Sequence, residues 1–282
     1  MQKSKRVLSL LLTLALCLGL LAISPITAHA GSVTADYTLY LNYSDGTLRK
    51  NNSSGEDITV AMAGAGAVVS GSADARVLTL TNFNFATTAD DALWLPSGST
   101  LVLSGTNTIT TTDTSSSIAL YMVGNSTITG DGSLVATGGT ATGAGDASIG
   151  IAAGGLIISG GATVTATGGD DAGSIGIYIN GYMSNLIIDS GSTVTATGNT
   201  RAINKNYTVP NGYKYTVSTN ANGSSPTTGT SDGSFVIDGT YKYIKIDPVK
   251  YVGLFGLNTT YPSNFLNWFL FIVCFGFIWM WF

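Results

Sequence analysis

Histidine and cysteine are missing from almost the whole chain: His29 and Cys17 fall close to the N-terminus, and Cys274 lies near the C-terminus. The region between them therefore has no disulfide framework, no metal site built on histidine or cysteine, no Ser-His-Asp triad and no cysteine nucleophile. Charge is also scarce, at 10% of residues where about a quarter is usual. Residues 77–200 contain no lysine or arginine but eight aspartates. That imbalance attracts cations and makes nucleic acid a poor partner. Neither a G-X-Y period nor a sustained heptad is present, so collagen and coiled coil are excluded. What is abundant is glycine, 36 of 282 residues, within a composition that is 44% hydrophobic. Such a chain buries a core and turns often, which makes an all-β fold the expectation.

The two ends differ from the middle. Residues 1–30 join a basic start (Lys3, Lys5, Arg6) to an apolar run from Val7 to Ile23 and a small-residue site at Ala28-His29-Ala30. This is the form of a secretory signal. Its removal leaves 9 basic against 16 acidic residues, a formal charge of −7. At the other end, the tail 251–282 closes on the run Phe265 to Phe282, with Asn267 its one polar member. As a helix that run would span about 27 Å, close to the thickness of a bilayer core. It is expected to be either a membrane anchor or the product of a frameshift.

Internal repeats decide the fold. Ala-Thr-Gly occurs at 136–138, 166–168 and 196–198, and Leu-Ile-Ile at 156–158 and 186–188. Both recur at one and the same interval, and self-similarity at a fixed period of this length marks a solenoid. Within each repeat, alternating β-branched residues indicate strands. Three inward sets follow from aligning the repeats: Leu93, Ile118, Ile149 and Ile175; Leu103, Ile128, Ile158 and Ile188; Ile109, Leu134, Val164 and Val194. Three short strands per coil, separated by Gly/Asp/Ser turns, predict a right-handed single-stranded parallel β-helix over residues 77–209, with a monomer as the expected state. Residues 31–76 are expected to form an N-terminal cap. Residues 210–250 are expected to form a capping β-hairpin from Tyr213–Val217 and Tyr241–Ile246.

The runs Leu156-Ile-Ile-Ser-Gly-Gly-Ala-Thr-Val-Thr-Ala-Thr-Gly-Gly169 and Asp90-Asp91-Ala92-Leu93 resemble a family of bacterial cell-surface carbohydrate-binding β-helix proteins. The resemblance covers roughly residues 77–246. It implies a fold like that of the pectate lyases, without their cleavage chemistry. It also implies binding of acidic polysaccharide with calcium, with Asp90 and Asp91 the closest match to the family's acidic motif.

Three features bear on chemistry. Asp90, Asp91, Asp113, Asp146, Asp170 and Asp171 share the turn before the first strand and would stack along one edge, where Ca2+ could use their oxygens. In the first strand set Tyr121, Ala152 and Tyr178 face outward in one column, with Trp94 projecting from the same sheet. The two phenols would stand about 9.6 Å apart, and aromatic faces suit the apolar face of a sugar ring. In the third set Thr108/110/112, Ser133/Val135/Thr137, Thr163/165/167 and Thr193/195/197 make an outward lattice that is mostly threonine, a surface also used by ice-binding β-helices. A lyase would need a basic residue beside calcium, and Arg201 is the only neighbour of the repeat region that offers one.

These observations predict an exported protein, secreted or held at a bacterial cell surface, that binds plant or microbial polysaccharide without cleaving it and with calcium as an accessory. A structural adhesin or surface spacer is the alternative, ahead of a polysaccharide lyase or hydrolase and of an ice-binding protein. One further expectation concerns the second strand set. Val102, Ile157 and Ile187 face outward there although the inward side is already apolar, so the cap residues 31–76, the 218–234 loop or a partner molecule should cover them, with a cover from the chain itself the favoured case.

Overall fold

The computed structural model describes residues 32–72, 74–181, 185–189 and 191–249, together with the short strands 251–252 and 258–259. The expected export signal and the apolar run Phe265 to Phe282 lie outside these residues. The protein is a parallel β-helix whose coils stack in register.

The first coil begins earlier than the repeats suggest. β1 (Ser32–Ala35) and β2 (Leu39–Leu41) already belong to the solenoid: β1 precedes the first coil and pairs in parallel with that coil's last strand, and β2 opens the coil and pairs in parallel with the first strand of the next. An excursion then leaves the stack: β3 (Leu48–Lys50) turns back antiparallel on β2, α1 (Thr59–Gly64) follows, and β4 (Ala67–Ser72) forms a hairpin with β5 (Ala75–Thr81). β5 and β6 (Asn84–Thr87) complete the coil. Residues 31–76 are thus a coil start carrying a capping insertion, rather than a separate cap.

The next coils are regular. β7 (Asp91–Leu95), β8 (Thr100–Ser104) and β9 (Thr106–Thr111) make one. β10 (Ser117–Gly130) with β11 (Ser133–Thr137), and β12 (Ser148–Ile158) with β13 (Thr163–Thr167), make two more. The last full coil is β14 (Ile175–Ile179), β15 (Leu186–Ile188) and β16 (Thr193–Thr197), after which β17 (Arg201–Ile203) opens another turn. β10 and β12 each run through the corner between the first and second faces, so these two faces form one continuous sheet. Glycine makes that corner. Gly124 has φ +64°, and a Cβ on Gly154 would collide with the Gly124 Cα.

The core is a set of ladders. Leu39, Leu93, Leu120, Ile151, Ile177 and Ile203 stand in register through six coils, all without solvent exposure. Leu78, Leu101, Ile128, Ile158 and Ile188 form the second. The third is Phe85, Ile109, Ala136, Ala166 and Ala196. Each buried Leu or Ile contributes about 1.5–3 kcal/mol.

Two corrections to the expected register follow. The step from the β7–β9 coil to the next is the same on every face (Leu93 to Leu120, Leu101 to Ile128, Ile109 to Ala136), so Leu103 and Ile109 are displaced by two from the positions expected for them. A slip of two keeps every side chain on its own face, so the hydrophobic pattern alone does not detect it. The second correction is a reversal. Ile118, Ile149 and Ile175 point outward and are half-buried, while Ser117, Ser148 and Ser174 fill the interior. The reason is hydrogen bonding: turn N–H groups arrive from inside, and Gly139 N–H (2.9 Å) bonds Ser117 Oγ, Ala141 N–H (3.2 Å) Ser148 Oγ, and Asn199 N–H (2.9 Å) Ser174 Oγ. Ala119 and Leu120 are then both buried, which restores the ordinary alternation.

The C-terminal hairpin forms as expected. β18 (Tyr207–Thr208), β19 (Tyr213–Ser218), β20 (Thr227–Thr230), β21 (Val236–Ile237) and β22 (Tyr243–Pro248) make the cap, with β22 antiparallel to both β16 and β19. Reversing the strand direction ends the parallel template and protects the last coil from adding another chain. Among the described residues no segment covers the second face. Ile157 and Ile187 are 39% and 48% exposed, and Val102 stands beside Thr129 in a different column.

Candidate functional site

The outer face of the first sheet carries two parallel columns. One holds Asp91, Ile118, Ile149, Ile175 and Arg201. The other holds Tyr40, Trp94, Tyr121, Ala152 and Tyr178. The second arises from one repeated triplet, an aromatic between two inward apolar residues: Leu39-Tyr-Leu41, Leu93-Trp-Leu95, Leu120-Tyr-Met122 and Ile177-Tyr-Ile179. The flanking residues anchor each strand in the core, which leaves the ring no choice but the outer surface.

The structure brings Trp94, Tyr121 and Tyr178 together as expected and adds Tyr40. Tyr40 and Trp94 stack at 4.3 Å between centroids with planes 19° apart. Trp94 and Tyr121 meet edge to face at 6.2 Å and 79°. The edge of one ring thus rests against the face of the other, and the three rings form one continuous cluster. Ala152, 3% exposed, fills the gap between Tyr121 and Tyr178. Tyr40 escapes the repeat alignment because it lies ahead of the repeats, although its triplet matches the other three.

At the N-terminal end of this column a pocket of about 640 Å³ is lined by Asp36, Thr38, Tyr40, Asn51, Ala89, Asp90, Asp91 and Trp94. The charged side chains of this lining are all carboxylic. Lys50, next to Asn51, is held by Glu56 at 2.7 Å and lies 5.1 Å from the Tyr37 ring. Burial pushes the Asp91 carboxyl up to about 6, with the neighbouring Asp90 charge adding to the effect. Burial also raises the Tyr40 phenol, which stays protonated and able to donate.

The six aspartates do not act as one column. Asp90 and Asp91 belong to the pocket. Asp113 accepts from the Ser115 hydroxyl and from its N–H at 2.8 Å, and that hydroxyl above all holds its carboxyl below the usual range. Asp146 accepts from Ser116 Oγ at 3.2 Å, and Asp170 is exposed. Asp171 turns inward: it is 8% exposed and accepts from Ser148 Oγ. Among the described residues no three acidic, histidine or cysteine side chains converge on one point. The threonine lattice is present with one change, since Ser133 pairs with Thr106 and the first row is Thr106/108/110.

The Asp91 carboxyl has a consequence for stability. Its folded-state value is raised, so the folded protein holds a proton that the unfolded chain releases. The contribution favours folding at low pH and is lost as pH rises from about 4 through about 6. Asp91→Asn should therefore flatten this part of the Tm-against-pH curve and melt above the parent protein at pH 7–8. Thermal unfolding of both proteins from pH 4 to 8 checks it. A difference that does not change across this range would contradict the assignment.

Comparison with known proteins finds no matching family model, no matching curated protein and no matching solved structure. Among the described residues no helix is long and apolar enough to cross a membrane.

Proposed function

We propose that the protein binds polysaccharide along the outer face of the first sheet and does not cleave it, as an exported protein of a bacterial cell surface. The observation that carries this reading is the aromatic column ending in the carboxyl-lined pocket. Coils repeat every ~4.8 Å, so Tyr121 and Tyr178 stand about 9.6 Å apart. That spacing suits successive apolar patches of an extended glycan. Aromatic rings give a large contact area at low entropy cost, and carboxylates accept hydroxyl hydrogen bonds. The pocket lining has no basic side chain to abstract a proton, which favours binding over a lyase reaction.

Calcium belongs to this reading as an accessory at Asp90 and Asp91, the two of the six aspartates that line the pocket. Calorimetric titration of the metal-stripped protein tests it: heat and a raised Tm support it, and neither at millimolar calcium leaves those carboxyls to sugar hydroxyls alone.

The site itself is tested with Tyr121→Ala/Tyr178→Ala. Neither ring belongs to the buried core, so the double variant should fold, with affinity for the retained glycan reduced about 10-fold, which corresponds to about 1.4 kcal/mol. Undiminished affinity would remove these rings from the site.

A further inference from the structure

Resting on the polysaccharide reading, we infer that the pocket at the N-terminal end of the aromatic column takes a cationic sugar, a hexosamine unit whose amine is free and protonated. Acidic and neutral polysaccharides would then be the weaker ligands.

Charge and shape both favour an ammonium here. Asp36, Asp90 and Asp91 line a cavity of about 640 Å³, large enough for a sugar ring, and no Lys or Arg shares the lining. The adjoining cation, Lys50, is already neutralised by Glu56 at 2.7 Å. No basic residue occurs from 77 to 200, and the first one along the Asp91 column is Arg201, four strands away at its far end. A uronate entering here would meet like charge on several sides, and such juxtaposition costs binding. An ammonium would meet the opposite. It has three donors for carboxylate acceptors, and charge-assisted hydrogen bonds are roughly twice as strong as neutral ones. Tyr40 and Trp94 form the remaining wall, and an ammonium close to the face of such rings gains a cation–π attraction. The rings would hold the apolar face of the sugar and the carboxylates its amine. Farther along, Ile118, Ile149 and Ile175 flank the aromatics and offer no charge before Arg201 at the opposite end, so the preference for an ammonium is placed at the pocket.

Three β-1,4-linked hexasaccharides of the same length separate the outcomes: the glucose oligomer, its 2-acetamido counterpart and its 2-amino counterpart, with an oligogalacturonate as the acidic comparison. Affinity is measured calorimetrically with the full chain at low ionic strength. The 2-amino oligomer should bind at least 10-fold tighter than the glucose oligomer, and Asp90→Asn/Asp91→Asn should erase that ratio. Asp74→Asn/Asp170→Asn, which removes two exposed charges outside the pocket, should keep it. Asp36→Asn serves as a second pocket variant if the first does not fold. Equal affinity for amino and neutral oligomers, a preference for the uronate, or a preference that survives the pocket variants would overturn the inference. In those cases binding that is still weakened by Tyr121→Ala/Tyr178→Ala leaves the polysaccharide reading intact. Binding of no oligosaccharide and no polymer would overturn both.

Discussion

Tyr40→Ala/Trp94→Ala is expected to lower affinity for the retained glycan by about 100-fold or more, while the β-helix stays folded. A buried tryptophan at the centre of a contact typically costs about 2 kcal/mol or more when truncated, which is about 30-fold. Tyr40 adds to this because it forms the other side of the same pocket wall. The cost to folding is smaller. Both rings are half-buried on the outer face, and their mutual stacking is worth about 0.5–1.5 kcal/mol. At about 2–4 °C per kcal/mol for a domain of this size, Tm should fall by only a few degrees. Affinity and Tm measured on the same preparation separate the two effects. A large fall in Tm with little change in affinity would make the pair a structural stack rather than a binding wall.

Asn107→Leu should destabilise the protein by about 2 kcal/mol, although the other members of its ladder are apolar. Asn107 stands in register with Leu134, Val164 and Val194 and has no solvent exposure. Its side chain joins three coils: Oδ1 accepts from Phe83 N–H at 2.9 Å, and Nδ2 donates to Ser104 O at 3.2 Å and Ser133 O at 3.1 Å. Leucine would gain about 1.5–3 kcal/mol of apolar burial. It would also leave the buried Phe83 N–H unpaired and weaken two carbonyls, at about 1–3 kcal/mol for each group left unsatisfied. The polar loss exceeds the apolar gain. Thermal unfolding should show a Tm lower by about 4–8 °C. A Tm equal to or above that of the parent protein would mean that these hydrogen bonds do not hold the first coils together.

The β-helix was legible because its signals repeat. Leu-Ile-Ile and Ala-Thr-Gly at a constant interval fix the coil, and strand alternation fixes the faces wherever the strand stays regular. The register of the β7–β9 coil was not legible, since a two-residue slip exchanges one inward position for another. Nor was the inversion at Ser117, Ser148 and Ser174, which depends on turn N–H groups seeking acceptors inside the coil. Within the site, Trp94, Tyr121 and Tyr178 follow from the strand pattern. The Leu-Tyr-Leu triplet around Tyr40 carries the same signal, but the insertion that follows it hides its place in the repeat. The pocket was beyond reach, because residues 36–51 and 89–94 meet only through the parallel pairing of β2 with β7. For the same reason the aspartates, equivalent in sequence, divide into pocket, solvent-facing turn and interior.

The central claim is that this sheet face holds glycan without breaking it, and one measurement addresses it most directly. The full chain is incubated with immobilised plant and microbial polysaccharides, and both the protein retained and the sugars released are quantified. Retention is expected on at least one polymer, lost in Tyr40→Ala/Trp94→Ala, with no soluble reducing ends and no unsaturated sugars. Released sugars would make the protein an enzyme, and retention on none of the polymers would leave the solenoid as a spacer.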